Sequence, residues 1–106
     1  MKFETYQAKA YKTANYNDPF YPWASLMVEA AELADLVAKP WLRGDGAGKF
    51  EPSNRDKIIS EAGDVLWNLA AILTDCDISL EDVAKANIKK LERRSKDGTI
   101  QGSGDR

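Results

Sequence analysis

Apolar residues recur along this chain at intervals of three and four, and no segment alternates with a clear period of two, which predicts helices and no strands. Phe3, Tyr6, Ala10 and Ala14 set a first helix over residues 2–14. The stretch "NYNDPFYP" ends it with two prolines and turn-forming Asn and Asp. A second helix runs from about Trp23 to Lys39 and stops at Pro40, because a residue before proline is driven out of the helical region. "PWLRGDGAGKFEPSN", with three glycines and two prolines, reads as a loop. A third helix starts near Asn54 or Arg55, with Asn54 as N-cap, and continues to about Asp75. The fourth starts after Ser79, where "SLED" supplies an N-cap and acidic first-turn residues that suit the helix dipole, and ends before "KDGTIQGSGDR". The expectation is one all-α domain over residues 1–106, an antiparallel four-helix bundle with residues 96–106 as a polar, Gly-rich tail.

Two of these helices break the apolar pattern in the same way. At about 100° per residue with Glu29 at 0°, Glu32 falls at about −60°, Leu36 at about −20°, Leu33 at about 40° and Leu26 at about 60°. With Glu61 at 0° on the third helix, Asp64 falls at about −60°, Asn68 at about −20°, Ile72 at about 20° and Val65 at about 40°. "EAAE" and "EAGD" therefore each set a carboxylate pair inside an apolar stripe. Uncompensated burial of such charges costs several kcal/mol apiece, so something positive must share the site. The stripes hold no interleaved Lys or Arg; Lys39 and Arg43 come only at or beyond the end of the second helix. Hard oxygen donors on two facing helices suit Mg²⁺ or Mn²⁺, and a magnesium site that keeps several waters commonly receives a phosphate substrate. The alternative at this point is a pair of partly solvated acidic patches, since carboxylates at i and i+3 are common on helix surfaces.

Composition narrows the chemistry. The chain has no histidine, which excludes a His-assisted nucleophile, a His₃ zinc site and a two-His-one-carboxylate iron site within one subunit. Carboxylates must carry any metal or acid–base work. Fifteen basic and 17 acidic side chains leave a formal charge of −2, with no general attraction to nucleic acid or anionic membrane. The single cysteine, Cys76, has no intrachain partner for a disulfide and reads as structural; with no signal-peptide-like run at the N-terminus, the expected location is the cytoplasm. No apolar run approaches the length of a membrane span.

Cations reappear on the fourth helix. With Leu80 at 0°, Asn87 falls at about −20°, Leu91 at about 20°, Arg94 at about −40° and Lys90 at about −80°, so Asn87, Lys90 and Arg94 edge the core-facing stripe, where they are placed to meet phosphate oxygens. The plainer reading of "KKLERR" is a solvated last turn favoured by the helix dipole.

Taken together, "EAAE" and "EAGD", with 28 residues between Glu32 and Glu61, resemble the ExxE…ExxD magnesium motif of the MazG-like nucleoside triphosphate pyrophosphohydrolases, a branch of the all-α NTP pyrophosphatase superfamily. "TYQAKAYKTANY" is similar to that family's first helix, "KPWLRGDG" to its loop after the first acidic pair, and "ANIKKLERRSKDGTIQGSGDR" to its last helix and tail. The resemblance implies Mg²⁺, with Mn²⁺ as a substitute, held by Glu29, Glu32, Glu61 and Asp64. It implies a nucleoside triphosphate held by Asn87, Lys90, Arg93 and Arg94, and hydrolysis to a monophosphate and pyrophosphate, a housecleaning reaction on the nucleotide pool. Glu32 or Glu61 is the expected proton acceptor. Lys39 and Trp67 complete the expected substrate set; Trp67, at about 240° on the third helix, is off the core stripe and, like Trp23, is placed to stack on a base or to pack. Family members assemble as dimers or tetramers, which implies a homo-oligomer here, with no nucleic-acid or membrane partner. Two other readings stand beside this one: a non-catalytic helical oligomerisation module whose carboxylates pair with "KKLERR" of another chain, and a pyrophosphohydrolase acting on a modified nucleotide or an alarmone.

Overall fold

A computed structural model describes residues 1–42, 44 and 54–98. These form four helices: α1 (Phe3–Tyr11), α2 (Tyr21–Leu42), α3 (Arg55–Asp75) and α4 (Leu80–Asp97). No strand occurs among the described residues, so the all-α expectation holds. The rest of the expected loop after Gly44 and the tail from residue 99 lie outside the described residues, as does Arg43.

The caps predicted for α3 and α4 are both in place. Asn54 Oδ1 accepts from Lys57 N at 3.1 Å, and Ser79 Oγ accepts from Asp82 N at 3.3 Å. Each satisfies one of the orphan donors of a first helical turn. Between the two helices, Asp77 adopts a left-handed backbone (φ 58°) while Ile78 N donates to Leu73 O at 2.8 Å and Asp77 N to Thr74 O at 3.0 Å, which ends α3 in a Schellman turn.

Four boundaries differ from expectation by two residues or more, each for a local reason. α1 ends at Tyr11 rather than Ala14, because Thr13 turns its hydroxyl onto Ala10 O at 2.7 Å and residues 12–14 form a turn. α2 begins two residues early, since Pro22 lies in its first turn, where the missing N–H has no helical acceptor to lose. It also continues through Pro40 to Leu42. So close to the helix end, proline disrupts little more than its own turn, and the helix absorbs it. α4 runs two residues beyond its expected end, to Asp97, and is closed by Gly98 at φ 74°.

α2 packs along α3, and α1 packs against both α3 and α4. Tyr21 and Ser25 share a cleft with Trp67 and Asn68, whereas Glu29 and Glu32, further along α2, meet Glu61, earlier in α3. Residue numbers rise along one helix as they fall along the other, so the pair is antiparallel. The buried apolar centre is small: Ala70, Ala71 and Ile72 of α3 and Leu80 of α4, with Pro22 fully enclosed.

One side chain of α1 holds three segments together. Gln7 Nε2 donates to Thr74 Oγ1 at 3.1 Å and to Ile78 O at 2.9 Å, while Gln7 Oε1 accepts from Leu80 N at 2.8 Å. The end of α3, the turn and the first donor of α4 are thus fixed by one amide.

Candidate functional site

The site begins with the face that α2 turns to α3. Leu26, Leu33, Leu36 and Val37 are half-buried there, and Glu29 stands among them, also half-buried. From α3, Val65 and half-buried Glu61 face the same seam. Glu32 and Asp64 lie at its exposed rim. One ligand oxygen from each of Glu29, Glu32 and Glu61 lies within 4.8 Å of the others, close enough to bind one ion together.

Two observations test whether a cation fits. Glu29 Oε2 and Glu61 Oε2 are buried and have no hydrogen-bond partner among the described residues. Carboxylate oxygens are strong acceptors, so burying two without donors is unfavourable unless a positive charge meets them. Desolvation first, then the negative charges of Glu32, Asp64 and Glu61, hold the Glu29 carboxyl above its ordinary value. This all-oxygen set of clustered anions suits a hard divalent cation. Asp64 is outside the tight group, yet its charge acts on Glu29 and, after burial, helps raise the Tyr6 phenol, so it shares the same local field.

A cleft of about 180 Å³ opens beside these acids, lined by Tyr21, Ser25, Glu29, Asp64, Trp67 and Asn68. Trp67, expected to stack on a base or to pack, lines this cleft and packs within its own chain. Its ring is half-buried, meets Tyr16 edge-on at 6.4 Å and donates from Nε1 to Thr13 Oγ1 at 2.8 Å. Tyr16 in turn stacks on Tyr21 at 5.7 Å. The Tyr16 hydroxyl donates to Asp75 Oδ2 and the Tyr11 hydroxyl to Asp75 Oδ1, both at 2.5 Å. Burial, then the bond to Asp75, raises the Tyr16 phenol far above its ordinary value, so it stays a donor. The aromatic wall is therefore anchored to the end of α3.

Tyr21, Ser25 and Asn68 were not anticipated as lining residues. Their signal was present: Ser25 and Tyr21 precede Glu29 by one and two turns of α2, and Asn68 is a polar residue inside the apolar stripe of α3.

The cations of α4 are placed differently. Asn87 and Arg93 are exposed, Lys90 is half-buried and Arg94 is 4% exposed, which departs from the solvated last turn that the sequence also allowed. None of the four lines the cleft of its own chain. Lys39 pairs with Asp35 at 3.3 Å, one turn back on α2, and is likewise outside the cleft. Trp23 is 49% exposed. Cys76 is free and exposed.

A match to the MazG nucleotide pyrophosphohydrolase domain covers residues 23–99, taking in both acidic pairs, every cleft residue except Tyr21, and the whole of α3 and α4. The chain belongs to the MazG nucleotide pyrophosphohydrolase family. It is similar to the Gene 37 protein of Mycobacterium phage L5, 35% identical over 114 residues, which span 99% of this chain and 98% of the phage protein. It is also similar to the uncharacterized protein YvdC of Bacillus subtilis (strain 168), 38% identical over 79 residues, 72% of this chain and 74% of the relative. No solved structure gives a significant match. The MazG match begins at residue 23, after α1, which the Gln7 tie and the Tyr11–Asp75 bond join to α3 and α4. No helix among the described residues is long and apolar enough to cross a membrane.

Proposed function

We propose that this MazG chain is a divalent-metal-dependent nucleoside triphosphate pyrophosphohydrolase, converting an NTP or dNTP to the monophosphate and pyrophosphate. The observation that carries the reading is the pair of buried, donorless oxygens on Glu29 and Glu61, set with Glu32 inside one ion's reach and beside a cleft with aromatic walls. Glu29, Glu32, Glu61 and Asp64 would hold Mg²⁺, or Mn²⁺ in its place. When bound, the ion supplies neutralisation of phosphate oxygens and acidification of the attacking water. The chain itself does three things. Its carboxylates fix where the phosphates sit, Glu32 or Glu61 takes the proton from the water, and the wall of Tyr21 and Trp67 orients the nucleoside end. In this reading Lys90 and Arg93 neutralise the outer phosphates and Asn87 hydrogen-bonds to them, whereas Arg94, buried within its own chain, is not placed to join them; because none of the four lines the cleft of its own chain, the reading includes assembly into at least a dimer.

Incubation with Mg²⁺ and a panel of canonical and modified nucleotides, with products resolved by anion exchange, tests the reaction. Monophosphate and pyrophosphate appearing together, without a diphosphate intermediate, is the expected result, with Glu61→Gln reducing turnover by at least about 10²-fold. Accumulating diphosphate and orthophosphate would overturn the assignment.

A further inference from the structure

A cation at the acidic cluster would satisfy the orphan oxygens of Glu29 and Glu61, but a third orphan acceptor belongs to another residue that lines the same cleft. Asn68 is 3% exposed. Its Nδ2 donates to Asp64 O at 2.9 Å, which fixes the amide so that Oδ1 is the remaining acceptor, and Oδ1 has no hydrogen-bond partner among the described residues. Buried acceptors are normally satisfied, and a residue in an apolar helix stripe has no packing reason to be Asn. A metal ion does not account for it as simply as for the carboxylates, because a neutral amide oxygen adds no charge to the ligand set.

The surroundings indicate what would satisfy it. Tyr21 and Trp67 line the cleft with Asn68, and both rings are held in advance: Tyr16 stacks on the first at 5.7 Å and meets the second edge-on at 6.4 Å, while Thr13 accepts the Trp67 indole N–H. At about 180 Å³ the cleft is smaller than the roughly 300–1,000 Å³ of sites that enclose a whole ligand. It suits one planar ring, with the charged remainder of the molecule over Glu29 and Asp64. We infer that Asn68 Oδ1 is a specificity-determining acceptor for a ring-edge N–H of the substrate's nucleobase, with Tyr21 and Trp67 forming the wall against which the ring lies. The inference rests on the nucleotide reading of this site and adds the group that reads the base. A site built around a buried acceptor discriminates strongly against an analogue lacking the donor, because the acceptor is then left unpaired a second time.

The test measures equilibrium binding, so that it does not depend on hydrolysis. Wild-type protein with Mg²⁺ is titrated with three pairs: dCMP and its 4-deamino analogue, dAMP and its 6-deamino analogue, and dUMP and its N3-methyl analogue. A 2′,3′-dideoxy monophosphate is included as a sugar control. At least one parent should bind at least about tenfold more tightly than its donorless analogue. Asn68→Leu should bring that ratio within about twofold while leaving the melting temperature unchanged or higher, because it removes an unsatisfied polar group; Asn68→Ala serves as the second variant. Equal binding within every pair overturns the inference, as does discrimination that survives in both variants. Weakening confined to the dideoxy compound overturns it too, since the acceptor would then read the sugar. Failure of the reaction itself would appear as binding without pyrophosphate release, whereas failure of this inference alone would appear as turnover without base discrimination. Absence of binding to every nucleotide overturns both.

Discussion

At the residue scale, Glu29 sets the requirements of the fold against those of a ligand. Its carboxyl is half-buried between leucines, faces three other acids and is held above its ordinary value of 4.5. A carboxyl whose folded pKa exceeds its unfolded one binds more protons in the folded state, so stability falls as pH rises from the unfolded value through the raised one. Above that window the loss is complete. Metal-free protein should therefore melt at a lower temperature at about pH 7 than just above the ordinary carboxylate value, and Glu29→Gln should flatten this slope and raise the melting temperature at neutral pH. Mg²⁺ should stabilise the wild type much more than the variant, because binding to the folded state alone raises stability. Scanning fluorimetry across pH, with chelator and with Mg²⁺, checks all three. A variant that melts lower than wild type without metal would make Glu29 a structural residue.

At the element scale, α1 depends on a few long-range hydrogen bonds rather than on a buried face, as it contributes no buried residue. Gln7 makes three of them, each worth about 1 kcal/mol, and one satisfies the Leu80 N–H at the start of α4. Gln7→Ala should cost about 2–3 kcal/mol and lower the melting temperature on the order of 10 °C, read by thermal unfolding followed by circular dichroism. A loss below about 0.5 kcal/mol would show that these bonds merely replace water. Gln7 also marks where sequence reading stops. Helical period, the Asn54 and Ser79 caps and the two carboxylate pairs were legible, because each is encoded within a few residues of chain. That Gln7 reaches across 71 residues to Ile78, or that Tyr11 and Tyr16 converge on Asp75, is set by how helices are placed, which local spacing does not encode. Pro40 failed as a stop signal for a related reason, since its penalty falls with distance from the helix interior. Asn68 was visible as a polar residue in an apolar stripe, yet only packing shows that its oxygen is left without a donor.

At the scale of the whole molecule, one chain leaves too much apolar surface uncovered. Few apolar side chains are buried among the described residues, whereas Met27 is 72% exposed, Trp41 62%, Val28 56% and Ile88 55%. On α2, Met27 and Trp41 share one face with Trp23. With Trp23 at 0°, Ala30 falls at about −20°, Ala34 at about 20°, Met27 at about 40° and Trp41 at about 0°, all exposed, while Glu29 lies about 120° away. This second stripe, large at its ends and small between, lets another helix approach closely. This face is where the second copy of the proposed dimer would dock. Light scattering at micromolar concentration should give at least a dimer mass, and Met27→Asp should weaken association at least about tenfold by placing a charge in the contact. Because the cations of α4 are absent from the cleft of their own chain, dissociation should also cost turnover: activity per chain should fall on dilution in step with the dimer fraction, and at lower dilution in Met27→Asp. A wild-type monomer with concentration-independent activity would refute both the interface and the need for it.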